Sequence, residues 1–335
     1  MAYIDAEQLS KTFKVAKHQR GFAGALKNLV SRQHTLVKAV DGLSFHIQRG
    51  ELVGYLGPNG AGKSTTVKML TGTLVPTGGQ LSVGGITPWQ RRVEHARRIG
   101  VVFGQRTSLW WDLPVVESFD LLRYLYKIPA DRFRQNVKKF DDLLELSEFF
   151  DTPVRSISLG QRMRADLAAA MLHDPEVVFL DEPTIGLDVV AKERIRTFIQ
   201  QANTRSGTTF ILTTHDLGDV KKLCKRVLMI DRGRLLFDGL LHELQERFGD
   251  ERELVVDFSE DYSHISVDCA KVVHRDQRQV TYRFSRKTCS ASELIQVLVQ
   301  RYKIADLSVR EPEVENTIRR IYEQKLLQRL TEERP

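Results

Sequence analysis

Gly57, Gly62, Lys63 and Ser64 fall in the spacing G-x-x-x-x-G-K-[ST], with Pro58, Asn59, Gly60 and Ala61 between the glycines and Thr65 behind. Glycines let successive backbone N–H groups turn inward around an anion, and a helix N-terminus behind them adds a favourable field. Lys63 is then placed for β- and γ-phosphates, and the Ser64 hydroxyl for Mg²⁺. A nucleotide held this way also needs a carboxylate for its metal, and Asp181 supplies one at the end of an apolar run. Glu182 follows it, one residue nearer the terminal phosphate, where a carboxylate polarises an attacking water.

These side chains work only if secondary structure aims them. Glu51 to Leu56 is a short apolar run suited to a buried strand, and Thr66 to Thr71 reads as helix before Gly72. The loop therefore sits between strand and helix, the context its chemistry requires. Val177 to Asp181 is a second buried strand, entered from the Asp174-Pro175 turn.

Length and composition fit a folded chain of about two domains. The 335 residues are 41% hydrophobic and 28% charged, near globular averages. Fifty Lys+Arg against 43 Asp+Glu leave a net charge of +7, a basic excess compatible with nucleic acid, anionic membrane or an acidic partner. No apolar run approaches a membrane span, and the N-terminus lacks the apolar stretch of a secretory leader. Cys224, Cys269 and Cys289 are far apart without C-x-x-C spacing, so neither a disulfide framework nor a thiolate zinc site is expected. The expected compartment is a reducing cytoplasm.

Further segments follow in a telling order. Gln105 comes after a strand at Ile99 to Phe103; Ile157-Ser158-Leu159-Gly160-Gln161 precedes a helix expected near Gln161; Gly186-Leu187-Asp188 follows the acidic pair; His215 ends a strand at Thr208 to Thr214. In this order the chain resembles the nucleotide-binding subunit of an ABC transporter over about residues 3 to 240. The resemblance implies an α/β fold, a P-loop NTPase ABC ATPase domain at 1–245 with a helical subdomain at about 108–170. It implies ATP and Mg²⁺ as ligands, the metal held by Ser64, Gln105 and Asp181. It also implies a head-to-tail pair of copies, each ATP lying between the phosphate loop of one copy and the signature of the other. Ser158, Gly160 and Gln161 would meet the γ-phosphate across that interface, with Asp188 organising the contact. Lys63, Gln105, Glu182 and His215 would carry catalysis, Gln105 sensing metal and water and His215 bonding the γ-phosphate. Leu159 stands where the family's first signature glycine usually lies, a departure that matters if the position needs positive φ. Phe13 is the candidate to stack on adenine, where the family more often has tyrosine; an ordinary strand-core role is the alternative.

Other features are particular to this chain. Lys14 to Lys38 carries six basic residues and no acidic one, and Phe22, Ala25, Leu26, Leu29 and Val30 fall at helical spacing. This placement is similar to an insertion in ATPases of polysaccharide exporters; a plain solvated insertion is the alternative. Trp110-Trp111 begins the helical subdomain, with helices expected at Val116 to Tyr126 and Phe133 to Leu146, and suits either docking or internal burial.

Beyond a hairpin at Val227 to Phe237, a linker helix is expected to end near Gly249. Strands are expected at Glu253 to Phe258, Val267 to Val273, Gln279 to Phe284 and Ile304 to Val309, with a helix at Ala291 to Tyr302. These make a small C-terminal α+β accessory domain at 250–335, closed by a basic amphipathic helix from Pro312 to Leu330. Its tail resembles that of ATPases serving type 2 ABC exporters. The resemblance implies separate type 2 permease subunits, a second copy of the chain, no nucleic acid, and a peripheral place on the cytoplasmic side of the inner membrane. The alternative is an ABC-type ATPase acting on nucleic acid or ribosomes. Such proteins carry coiled-coil insertions, zinc-spaced cysteines or paired cassettes, none of which is seen here.

Overall fold

The computed structural model of the chain describes residues 2–16, 34–104, 106–214, 216–248, 251–262, 265–285, 288–310 and Ile318. Gln105, His215, residues 17–33 of the basic insertion and, Ile318 apart, the terminal helix expected from Pro312 lie outside the described residues. The chain forms two compact units, Met1–Asp238 and Gly239–Pro335.

The first unit opens with β1 (Ile4–Ala16), β2 (His34–Ile47), β3 (Leu52–Leu56), α1 (Lys63–Leu70), β4 (Gly78–Val83), α2 (Arg92–Ala96) and β5 (Ile99–Phe103). It continues through α3 (Val115–Tyr126), α4 (Ala130–Leu144), α5 (Leu159–Met171), β6 (Val177–Asp181), α6 (Val189–Ser206), β7 (Thr209–Thr213), α7 (Leu217–Leu223), β8 (Arg226–Asp231) and β9 (Arg234–Leu240). Six strands form one sheet in the order β5-β6-β7-β3-β8-β9, and the pairs from β5 to β8 are parallel. Val177, Val178, Phe179 and Leu180 are all fully buried, as expected of a parallel strand covered on both faces.

Three antiparallel strands, β2-β1-β4, form a second sheet. Ile4, Leu9, Phe45 and Ile47 from it share one core with Val53 and Tyr55 of β3 and Met69 and Leu70 of α1. Each such buried side chain contributes about 1.5–3 kcal/mol, so α1 is held by packing and not by its modest length. The loop before α1 is thereby fixed to a rigid base.

The helices α3 to α5 lie between β5 and β6 in sequence, and α4 shows how they are tied to the base. Phe133, Phe140 and Leu144 form its buried stripe, and Phe140 meets Phe198 of α6 edge-on at 5.4 Å. Arg164 of α5, 8% exposed, donates to the Leu144 carbonyl at 2.6 Å and so satisfies an end of α4 that has no intrahelical partner.

The second unit contains α8 (Leu241–Phe248), β10 (Glu251–Phe258), β11 (Lys271–Asp276), β12 (Gln279–Ser285), α9 (Ala291–Arg301) and β13 (Ile304–Arg310). Its antiparallel sheet runs β11-β12-β10-β13. Leu254, Val256 and Phe258 alternate inward on β10 and join Val280, Tyr282 and Phe284 of β12 and Leu294 and Leu298 of α9. Ser290 and Glu293 close a reciprocal capping box at the start of α9. One expected strand is displaced: Val267 and Ala270 pair across a tight turn, with the Ala270 amide on the Val267 carbonyl at 3.2 Å, and the strand begins only at Lys271. The apolar residues that suggested an earlier start, Val267 and Cys269, belong to the core as turn residues.

Candidate functional site

Strand register brings the site together. Phe103, Asp181, Thr213 and Tyr55 are successive partners across β5, β6, β7 and β3, all at the C-terminal ends of parallel strands. The loops that follow these ends open on one edge of the sheet, the edge where ligands of open α/β sheets bind. A cavity of about 510 Å³ lies there, lined by the glycine loop, the first turn of α1, Asp181 and Glu182.

Gly57 to Gly62 connects β3 to α1, and α1 begins at Lys63, three residues earlier than expected from the sequence. Gly62 has φ +107°, and a Cβ on it would stand 2.4 Å from the Ala39 carbonyl, so no other residue fits. The N-cap makes no side-chain bond and the first turn holds no acidic residue, which leaves the amides and the dipole of α1 for an anion. Lys63 is 7% exposed; its Nζ donates to the Gly57 carbonyl at 2.6 Å and the Pro58 carbonyl at 3.2 Å. Burial lowers its pKa, while Glu182 and Asp181 pull the other way. An ammonium resting on loop carbonyls is a charge placed for an anion and loosely held until one comes.

The Ser64 Oγ and Asp181 Oδ2 stand 3.5 Å apart, and Thr213 Oγ1 donates to the other Asp181 oxygen. Adjacent oxygens in an octahedral magnesium shell are about 3 Å apart, given ligand distances of about 2.0–2.1 Å. One hydroxyl and one carboxylate are the hard oxygen donors Mg²⁺ takes when substrate phosphates and water complete its shell. Among the described residues no group of three His, Cys, Asp or Glu side chains offers an all-protein metal cage.

Glu182 adopts φ +55°, a left-handed conformation uncommon for a non-glycine residue. Its amide donates to the Thr213 carbonyl at 2.9 Å, which fixes the turn. Gly104 packs against the same turn: its amide donates to the Asp181 carbonyl at 2.7 Å, and a Cβ there would lie 2.6 Å from the Glu182 carbonyl. The loop after β5 is thus pressed onto the acidic pair. Its far end is held by Asp166 of α5, 3% exposed, which accepts from Thr107 Oγ1 at 2.8 Å and the Ser108 amide at 2.9 Å. Gln105 itself, between these anchors, is outside the described residues, as is His215. Around position 215, the Asp216 amide donates to Thr214 Oγ1 at 2.9 Å, and Asp216 receives Lys192 Nζ at 2.6 Å.

Ser158, Gly160, Gln161 and Asp188 do not line the cavity. The N-terminal stretches of α5 and α6, where they sit, lie against each other instead. Ser158 caps α5, its Oγ accepting from the Gln161 amide at 3.2 Å while Gln161 Oε1 accepts from the Ser158 amide at 2.8 Å. Leu159 is the first helical residue, not one of positive φ, so the bulkier side chain imposes no backbone strain. It lies over Gly186, whose added Cβ would be 3.1 Å from Leu159 Cδ2, and Gly160 faces Ala191. Asp188 caps α6, and the Ala191 amide holds its carboxyl below the ordinary range. One chain therefore presents a phosphate cavity and, outside its lining, two helix N-termini lying together.

Phe13 pairs with Val37 and is 37% exposed, with Lys11 Nζ 5.4 Å from its ring centre; it does not line the cavity, whereas Ala39 does. Three contributors escaped sequence reasoning: Thr213, which orients Asp181, and Arg106 and Lys68, which line the cavity. Lys68 stands at helical spacing behind Ser64, a signal available in principle; Thr213 and Arg106 owe their places to register and loop anchoring.

Residues 40–185 match the ABC transporter family profile. The ABC transporter ATP-binding protein NatA of Bacillus subtilis is 34% identical over 63% of this chain and 85% of its own length. Nod factor export ATP-binding protein I of Ralstonia nicotianae is 38% identical over 61% of this chain and 63% of its own. Daunorubicin resistance ATP-binding protein DrrA3 of Streptomyces coeruleorubidus is 37% identical over 65% and 69%. Among solved structures, an ATP-binding subunit of an ABC transporter superposes with a TM-score of 0.62 at 22% identity, covering 74% of this chain and 93% of that one. A post-hydrolysis dimer of the ATP-binding cassette MJ0796 with ADP and Pi gives 0.59 at 23% identity, over 71% and 98%. The fold is the one they share. No helix among the described residues is long and apolar enough to cross a membrane.

Proposed function

The chain belongs to the ABC transporter family of ATP-binding proteins, and from that premise we propose that its cavity hydrolyses ATP to drive separate permease subunits of an exporter. The observation that carries this reading is the meeting of Lys63, Ser64, Asp181 and Glu182 on one cavity. The loop amides and α1 bind the β- and γ-phosphates, and Lys63 exchanges its carbonyl partners for phosphate oxygens. Ser64 and Asp181 hold Mg²⁺, with Gln105 as a further ligand; when bound, the ion neutralises charge on the phosphates. Glu182 orients and accepts a proton from the attacking water, His215 bonds the γ-phosphate, and Phe13 stacks on adenine. The glutamate's backbone is held through the Thr213 carbonyl, so its side chain starts from a fixed point beside Asp181.

The separation of the two regions on one chain supports a second copy completing the site. In a head-to-tail pair, Ser158, Gly160 and Gln161 of one copy face the γ-phosphate bound by the other, and Asp188 organises the seam. ATP then closes the pair because it bridges two half-sites, and loss of the γ-phosphate releases it; only that difference in affinity can move a permease. Export as the direction, with type 2 permeases as partners at the cytoplasmic face, rests on relatives named for Nod factor export and daunorubicin resistance. We assign ATPase function to residues 1–245, with its helical subdomain at about 108–170, and an accessory role to 250–335.

The test uses Glu182→Gln. It should bind ATP as the parent does, lose turnover by about 10²–10⁴-fold, and elute as a dimer in ATP with Mg²⁺. Turnover near the parent's would remove Glu182 from its role, and a monomer at saturating ATP would remove the paired site.

A further inference from the structure

Arg106 lines the phosphate cavity, and its side chain has no hydrogen-bond, ion-pair or aromatic partner among the described residues. Most other arginines of the unit are engaged: Arg164 caps α4, Arg196 binds Asp219 at 2.7 Å, and Arg226 binds Asp238 at 2.7 Å. An exposed arginine without a partner is ordinary on a flexible surface. This one is not on such a surface, because its backbone is anchored on both sides. The Arg106 amide donates to the Phe103 carbonyl at 3.0 Å, Gly104 is pinned to Asp181, and Thr107 and Ser108 are tied to buried Asp166. The guanidinium therefore swings from a fixed point beside the acidic pair.

Charge balance indicates what it meets. The cavity's ionised side chains are Lys63, Lys68 and Arg106 against Asp181 and Glu182, a net of only one positive charge. ATP brings about four negative charges at neutral pH and ADP about three, the last residing on the terminal phosphate. Loop amides and Lys63 serve the phosphates nearest α1, whereas Arg106 emerges from the loop packed on Glu182, at the end where the γ-phosphate must lie if Glu182 is to act. A guanidinium presents two parallel N–H donors that match two oxygens of one phosphate, which an ammonium cannot do.

We propose that Arg106 is a specificity-determining residue that binds the terminal phosphate of ATP and discriminates ATP from ADP. The proposal rests on the cavity being the ATP site. Asp166 enters as a positioning residue: its three acceptor contacts with Thr107 and Ser108 hold the loop from which Arg106 reaches.

Titration calorimetry with Mg²⁺ and either the β,γ-imido analogue of ATP or ADP tests this on the full-length parent, Arg106→Ala and Arg106→Lys. Loss of a charge-assisted phosphate contact should weaken Arg106→Ala for the analogue by about 10–100-fold. ADP affinity should change by less than about twofold, and Arg106→Lys should fall between, keeping charge but not the fork. Equal weakening for both nucleotides, or an unchanged ratio, would overturn the proposal while leaving the ATP site intact. A parent that binds neither nucleotide would overturn the site assignment itself. Asp166→Ala, which removes the accepting oxygen, should shift the analogue in the same direction with a smaller change; no shift, or an effect on ADP alone, would overturn its positioning role.

Discussion

Glu182 is the one residue of the cavity whose backbone and side chain make opposite demands, and the two can be separated by substitution. Its φ of +55° is imposed by the Thr213 carbonyl on its amide and by Gly104 against its carbonyl. For an L-residue this conformation costs about 1–2 kcal/mol, whereas glycine adopts it freely. Comparing Glu182→Ala with Glu182→Gly removes the carboxylate and its contacts from both variants, so their difference reads the backbone alone. At an ordinary helix or strand position glycine would be less stable than alanine by about 0.5–1 kcal/mol through its extra chain entropy. Here strain relief outweighs that entropy, and Glu182→Gly should be the more stable by about 1 kcal/mol, or about 2–4 °C in Tm for a unit of this size. The assay is thermal and urea unfolding followed by tryptophan fluorescence, which reports the first unit alone because Trp89, Trp110 and Trp111 are the only tryptophans. Both variants should have lost ATP turnover. A glycine variant equal to or less stable than the alanine variant would refute the strain argument, and turnover in either would refute the catalytic one.

Two other outcomes follow from the described structure. His95 is buried and His173 half-buried, each donating from Nε2 to a carbonyl, Leu70 at 2.8 Å and Ile99 at 2.9 Å, and burial lowers both pKa values below the ordinary 6.5. Unfolded histidine takes up a proton first, so the stability these rings hold above pH 6.5 is lost as pH falls from there through their folded pKa values. Replacing both by Gln should flatten the Tm-against-pH curve between pH 7.5 and 5.5; an unchanged curve would deny them that role. Among the thiols, Cys224 is buried with its pKa driven up by burial, and Cys289 is pushed up to about 12 by burial and by the hydrogen bond its thiol donates to Cys269. Native protein should therefore react with a maleimide first at half-buried Cys269, and at the other two only after unfolding. Mass spectrometry that finds Cys224 labelled early would contradict this.

Much of the fold could be read from sequence where local chemistry and tertiary packing agree. The glycine loop, the run Val177 to Asp181 and the strand Ile99–Phe103 are short apolar segments ended by residues with a single purpose, and they lie where expected. Helix starts were less visible. Lys63 and Leu159 begin their helices three and two residues ahead of the apolar pattern, because their first turns are built of loop and cap residues that add nothing to that pattern; for the second, the Ser158-x-x-Gln161 capping box was the sign to follow. The strand Lys271–Asp276 was displaced because it is an edge strand with no buried residue, and thus no alternation to detect. In the site, Lys63, Ser64, Asp181 and Glu182 converge as their motifs require. Arg106 and Thr213 carry no local signal, since register partners and loop anchors far along the chain put them there.

The capping box at Ser158 has a consequence for the cost of assembly. Its oxygen already accepts from the Gln161 amide, and its rotation about Cα–Cβ is settled when α5 forms. A hydroxyl has lone pairs to spare and one proton, so the cap fixes the oxygen while leaving the O–H free to donate outward. The rotamer entropy that a freely turning serine would surrender on meeting a ligand is thus lost once, during folding, and not again at every turnover. The donor that holds it is a backbone amide, so the pre-orientation survives any change of the Gln161 side chain, and only proline at that position, which has no N–H to give, would return the loss to each binding event.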